Sequence, residues 1–207
     1  MKENELYYDL LRLLVKPFIK LSYRFKVVGQ ENLPKEEGYI ICSNHSSNID
    51  PIIMALSHRK KVFFMAKAEL FKNKAFAWLL DKFGAFPVSR GKGDTTAIYK
   101  AESILENKQT LCIFIEGTRS KDGELLKPKA GAAMIAYKMN ANITPVCIAT
   151  PKGGGLKLFK KSIISFGKPI MLEELGIEKG SGTEFRNASR KIMDEIRELK
   201  EIIEDKK

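Results

Sequence analysis

"GYIICSNHSSNIDPIIMALSH", residues 38–58, decides how the chain is read. Its first residues are apolar and β-branched, its middle is polar, and its last nine bring apolar side chains back at helical spacing. That pattern predicts a strand, a turn and a helix. Pro51 falls where the first turn of a helix tolerates a residue without an amide donor, and Asp50 before it reads as the N-cap. The turn holds His45, and Asp50 follows five residues later. On one continuous helix five positions rotate through about 140°, which would send the two side chains apart. They meet only if His45 sits on the turn and Asp50 opens the helix. A histidine whose second nitrogen is held by a carboxylate is a general base of fixed tautomer.

The same alternation runs outward in both directions. FKVV (25–28), VFFMA (62–66), AFPVS (85–89), TLCIFI (110–115), ITPVCIA (143–149) and SIISFG (162–167) read as strands. Between them, 74–84, about 94–107 and about 129–140 read as helices. A final amphipathic helix carries Phe185, Ile192, Ile196, Leu199 and Ile203. This order predicts an α/β fold: a mostly parallel mixed sheet flanked by helices. No internal repeat or long linker interrupts it, and EKGSG (178–182) reads as a turn.

Ahead of the first strand, Leu6, Leu10, Leu13, Leu14, Phe18 and Leu21 recur every three or four residues, predicting an amphipathic helix. Pro17 should kink or divide it. Residues 1–30 hold six basic and three acidic groups, so the helix packs on the domain, lies in a membrane interface, or does both. The expected division is an amphipathic helical segment, 1–23, taken as membrane-associating, and a main domain, 24–207. Leu6, Leu10, Leu13, Leu14 and Phe18 are the expected membrane contacts. No stretch reaches the ~18 uncharged apolar residues of a membrane span, and Arg12, Lys16 and Lys20 interrupt any signal-peptide pattern.

With 207 residues, 44% hydrophobic and 29% charged, the chain is globular and large enough for a sizeable core. A net charge of +11 implies an anionic partner: a phosphorylated substrate, an anionic membrane surface or nucleic acid. A nucleic-acid module would need aromatics interleaved with Lys and Arg on a sheet face; here the aromatics fall mostly on apolar helices and strands, so nucleic acid is not expected as a partner. Cys42, Cys112 and Cys147 lie apart in apolar strands without metal-binding spacing, and read as buried thiols in a reducing compartment. HRKK (58–61) reads as cations at a helix C-terminus.

The base at His45 lacks a protein nucleophile. Cys42 belongs to the strand, and Ser43, Ser46 and Ser47 have no nucleophile-elbow context, which leaves the substrate's own hydroxyl. Two loops add cations at strand ends. GAFPVSR (84–90) places Arg90 there, and FIEGTRS (114–120) places Glu116, Gly117, Thr118, Arg119 and Ser120. Arginine's fork of donors matches phosphate oxygens, and glycine lets backbone approach closely. Either arginine alone would pass for a solvated surface group.

Taken in order, these blocks resemble the glycerolipid acyltransferase family. Its Asn-His-x4-Asp signature is matched by Asn44, His45 and Asp50, and its Gly…Arg block by Gly84 to Arg90. Its Phe-x-Glu-Gly-Thr-Arg-Ser block is matched by Phe114 and Glu116–Ser120, with Ile115 where many members carry Pro, and its late Pro-Val block by Pro145 and Val146. The resemblance spans about residues 24–170. It implies that His45 takes a proton from a glycerol hydroxyl attacking an acyl thioester, with Asp50 orienting it. It implies that Arg90, Glu116, Gly117 and Arg119 hold a glycerol phosphate, with Thr118 and Ser120 shaping that loop. The implied partners are lysophosphatidate as acceptor (with glycerol 3-phosphate or another lysolipid as the alternative), acyl-CoA or acyl carrier protein as donor, and a membrane lipid surface. No metal or other cofactor is expected, and the implied location is the cytoplasmic face of the membrane, attached peripherally. PKGGGLKLFKK (151–161), with four lysines around Leu156, Leu158 and Phe159, reads as a solvated loop or a second membrane contact.

Overall fold

The computed structural model describes residues 2–36, 38–89 and 95–205. The segments follow in the order α1 (Lys2–Tyr23), β1 (Phe25–Val28), β2 (Ile40–Ser43), α2 (Asp50–Ser57), β3 (Val62–Lys67), α3 (Lys74–Lys82) and β4 (Ala85–Val88). After them come α4 (Thr95–Glu106), β5 (Thr110–Phe114), α5 (Gly131–Met139), β6 (Ile143–Ala149), β7 (Ser162–Phe166) and α6 (Gly182–Glu204). The seven strands form one sheet in the order β1-β7-β6-β2-β5-β3-β4, parallel throughout except between β6 and β7. This is the mixed sheet that the alternating pattern predicts.

Strand residues alternate between two buried faces. Ile40, Cys42, Leu111, Ile143 and Cys147 pack with α4, α5 and α6. Ile41, Cys112, Val146, Ile148 and Ile164 pack with α1 and α2 on the other face. A strand covered on both sides has no polar face, hence the unbroken apolar runs of β2, β5 and β6. All three cysteines are free and buried. The last helix begins at a capping box in which Ser181 accepts from the Glu184 amide and Glu184 accepts from the Ser181 amide.

Three local expectations become specific. First, α1 continues across Pro17 as one helix rather than dividing. Second, it both packs and faces outward. Tyr8 is buried and donates to the Ala55 carbonyl (3.1 Å), and Arg12 donates to the His58 carbonyl (2.6 Å). Meanwhile Leu10, Leu13, Leu14, Phe18 and Leu21 remain 52–75% exposed on the opposite flank; the Leu6 side chain lies outside the described residues. Third, His58 is no solvated cation. It is buried with Nε2 2.7 Å from Tyr39 Oη, and burial pulls its pKa below the usual value.

Candidate active site

β2 lies between β5 and β6, and all three run parallel, so the loops after them converge at one end of the sheet. That crevice beyond the carboxyl ends is where an open α/β sheet leaves room for a ligand. The chain leaves β2 under firm control. Asn44 is buried, donates through Nδ2 to the Ile148 carbonyl (2.9 Å) and accepts at Oδ1 from the Ile148 amide (2.8 Å). Its amide thus extends the ladder by one residue and forces the chain to turn at His45.

There the ring of His45 stacks on Phe114, with centroids 4.1 Å apart and planes at 21°. Nδ1 lies 2.8 Å from Asp50 Oδ2. A carboxylate only accepts, so the Nδ1 proton points at Asp50, which in the neutral imidazole puts the lone pair on Nε2. The same Oδ2 accepts the amides of Ser46 and Ser47, each at 2.7 Å. Asp50 therefore closes the turn and orients the ring with one oxygen. This shifts the expected capping by one residue: Ile49 is the N-cap, without a side-chain cap bond, and Asp50 opens the helix with its carboxylate turned back. Pro51 still occupies the first turn.

The loop after β5 is the second wall. Glu116 is buried beneath the histidine, and its Oε1 accepts the His45 amide at 3.3 Å while Oε2 has no partner. Burial pushes its carboxyl up to about 7, against the downward pull of the His45 and Leu126 amides. Its Oε1 thus braces the turn through the His45 amide. Gly117 takes a left-handed φ of 69°, where a side chain is strained. Gly117, Thr118 and Arg119 form the exposed rim, and Arg119 reaches across to donate to Asn48 Oδ1 at 2.6 Å. Ser120 is buried again: its amide donates to the His45 carbonyl at 2.8 Å, and its hydroxyl donates to Asp122. Arg90 lies outside the described residues.

The loop after β6 closes the third side. Gly155 lies against Ser46, and Gly123 packs so tightly on Gly154 that a Cβ there would come within 2.3 Å of backbone. The contributions of Phe114, Asn44 and Asn48 escape local sequence reasoning, because each depends on a partner on another strand or loop. Among the described residues no group of three or more His, Cys, Asp or Glu side chains is placed to hold a metal ion. What remains is a base of fixed tautomer beside a guanidinium-rimmed crevice, an arrangement able to deprotonate a hydroxyl on a phosphate-bearing substrate.

The sequence profile of the acyltransferase family matches residues 24–149. The chain is 32% identical over 170 residues to the 1-acyl-sn-glycerol-3-phosphate acyltransferase of Streptococcus pneumoniae, covering 81% of this chain and 62% of that protein. It is 33% identical over 159 residues to the enzyme of the same name from Bacillus subtilis, covering 75% of this chain and 78% of that one. Among solved structures, the 1-acyl-sn-glycerophosphate acyltransferase PlsC of Thermotoga maritima superposes with a TM-score of 0.67 at 28% identity, covering 96% of this chain and 78% of that one. The matched span runs from β1 to the end of β6 and so takes in the histidine turn and the arginine loop together: the chain belongs to the acyltransferase family.

Proposed function

We propose that the protein transfers a fatty acyl group from acyl-CoA or acyl carrier protein to the free hydroxyl of 1-acylglycerol 3-phosphate, forming phosphatidate. The observation that carries this reading is the 2.8 Å His45–Asp50 pair, which puts the lone pair on Nε2. Nε2 takes the proton as the hydroxyl oxygen attacks the thioester carbonyl. The tetrahedral intermediate collapses, the C–S bond breaks, and the imidazolium returns the proton to the departing thiolate. Direct transfer fits the cysteines: all three are buried, and burial drives the Cys42 thiol far above its usual range, away from the reactive thiolate. Arg90, Glu116, Gly117 and Arg119 hold the glycerol phosphate, Glu116 from beneath the turn, and Thr118 and Ser120 shape the loop. No cofactor is required by this chemistry.

Lysophosphatidate in vesicles, offered with each donor in turn, is the direct test. Phosphatidate should form with at least one donor, while uncharged monoacylglycerol should be a poor acceptor. Arg119→Ala should weaken productive use of lysophosphatidate by about 1.5–3 kcal/mol, roughly 10–150-fold in kcat/KM. It should hardly affect monoacylglycerol. Equal losses for both acceptors would move Arg119 from the phosphate to the fold or the donor.

The reading also takes residues 1–23 as a membrane-associating segment on an acyltransferase domain, 24–207, attached peripherally at the cytoplasmic face. Support comes from the outer flank of α1, where large apolar side chains line up instead of scattering. Nearby surfaces continue it: Trp78 on α3 is exposed, and exposed Phe159 donates its amide to the Ser22 carbonyl at the end of α1. Among the described residues no helix is long and apolar enough to cross a membrane. Leu14→Asp with Phe18→Asp should release the protein from anionic vesicles in co-sedimentation. Because these side chains are 66% and 70% exposed, the melting temperature should stay within a few degrees. A destabilised variant that still sediments fully would remove α1 from the membrane.

A further inference from the structure

Apart from the catalytic crevice, a cavity of about 360 Å³ opens in the angle between α1, β1 and the end of α2. Lys16, Lys20, Lys26, Phe25, Gln30 and Ser57 line it. Two observations there ask for a ligand. The first is unneutralised charge. Among the described residues no carboxylate pairs with any of the three lysines, and the nearest acid on α1, Asp9, pairs with Arg12. Burial, then Arg12 and Lys20, press the Lys16 ammonium below the usual lysine range, as expected where like charges crowd. The second is an orphaned hydroxyl. Ser57 is 1% exposed and its Oγ has no hydrogen-bond partner, while its carbonyl is taken by Gln30 Nε2 at 2.5 Å. A buried hydroxyl without a partner is unfavourable and rare, and here it belongs to a residue that lines the cationic cavity.

We propose that this cavity binds the phosphate of an anionic membrane phospholipid, with the three ammonium groups neutralising it and Ser57 Oγ donating to it. Lys16 and Lys20 share one row of α1, four residues apart, beside the row that carries exposed Leu13. A phosphate held there places its acyl chains along the apolar flank that continues through Leu14 and Leu21. That continuity selects a lipid over a free anion. The site is distinct from the acceptor site: Ser57 ends the helix that Asp50 begins, on the order of 10 Å away along its axis at 1.5 Å per residue. The source of the phosphate rests on the membrane reading given above, whereas the cavity and its charges do not.

Three variants of the full chain test it by co-sedimentation with phosphatidylcholine vesicles containing phosphatidylglycerol. Lys16→Gln with Lys26→Gln should lower the partition coefficient roughly 30-fold, the worth of two lysines at an anionic leaflet. Lys100→Gln with Lys168→Gln removes the same charge elsewhere and should change it less than about twofold. Ser57→Ala leaves the charge untouched and should still lower it about fivefold, the worth of one hydrogen bond. Full wild-type partition by Ser57→Ala would reduce the lysines to a diffuse electrostatic surface and overturn the site. Inorganic phosphate, added without vesicles at matched ionic strength, should leave the wild-type melting temperature unchanged. A rise that Ser57→Ala abolishes would make the ligand free phosphate and overturn the lipid assignment. Acyl transfer to a short-chain, water-soluble lysophosphatidate should be unaffected in all three variants, so failure of this site and failure of the catalytic reading stay separate.

Discussion

His45→Ala should lower turnover by on the order of 10²–10⁴-fold, the range for loss of a general base. Among the described residues no other imidazole or amine is held beside Asp50 to replace Nε2. The buried Glu116 carboxyl accepts a backbone amide beneath the ring, and the Cys42 thiol is sealed in β2. The acceptor hydroxyl would then lose its proton only to water. Lysophosphatidate binding should change little, because the phosphate contacts belong to the arginine loop. The fold should survive as well: the ring's main packing partner is Phe114, and losing one stacked pair costs about 0.5–1.5 kcal/mol. Single-turnover rates at saturating lysophosphatidate and donor are the measurement. A variant keeping more than about a tenth of the wild-type rate would falsify general-base catalysis by this residue.

Much of this arrangement is legible in the residues themselves, for identifiable reasons. The strands of the sheet centre are buried on both faces, so ICS, TLCIF and ITPVCIA appear as apolar runs between polar loops. The histidine turn is legible because a five-residue separation is compatible with only one local geometry. Other features depend on pairings that no local pattern encodes. The antiparallel placement of β7 against β6 is one. Stacking of Phe114 on His45 is another; it requires β5 to neighbour β2 in the register that sets Ser43 beside Phe114. Glu116 shows the limit most clearly. A carboxylate beside a glycine and an arginine in a loop suggests a group facing substrate, yet the turn that exposes Gly117, Thr118 and Arg119 rotates Glu116 inward beneath the His45 amide. The outer flank of α1 was legible as an apolar surface; the packing of the opposite flank through Tyr8, Arg12 and Ile19 was not, because it depends on partners beyond the helix.

Asp50→Asn should lower turnover by roughly 10–10³-fold, the worth of one opposite charge beside the ring, with little change in stability. Asparagine has the same shape, and its single carbonyl oxygen can still accept the Ser46 and Ser47 amides. That oxygen takes the place of Oδ2 and so keeps the Nδ1 proton as well. The base keeps its tautomer but loses the negative charge that stabilises the imidazolium formed when Nε2 takes the substrate proton. Asp50→Ala should lose similar activity and stability as well, because the two amides that Oδ2 now accepts at 2.7 Å are left without a partner. At about 1–3 kcal/mol for such a loss, a chain of this size should melt several degrees lower. The double variant His45→Ala/Asp50→Asn decides between orientation and a separate role. If Asp50 acts through the ring, it has nothing left to orient, and the double variant should turn over no more slowly than His45→Ala alone. Multiplying losses would mean that Asp50 contributes to the transition state independently of His45. Wild-type turnover in Asp50→Asn, beside a destabilised Asp50→Ala, would leave it only the task of closing the turn.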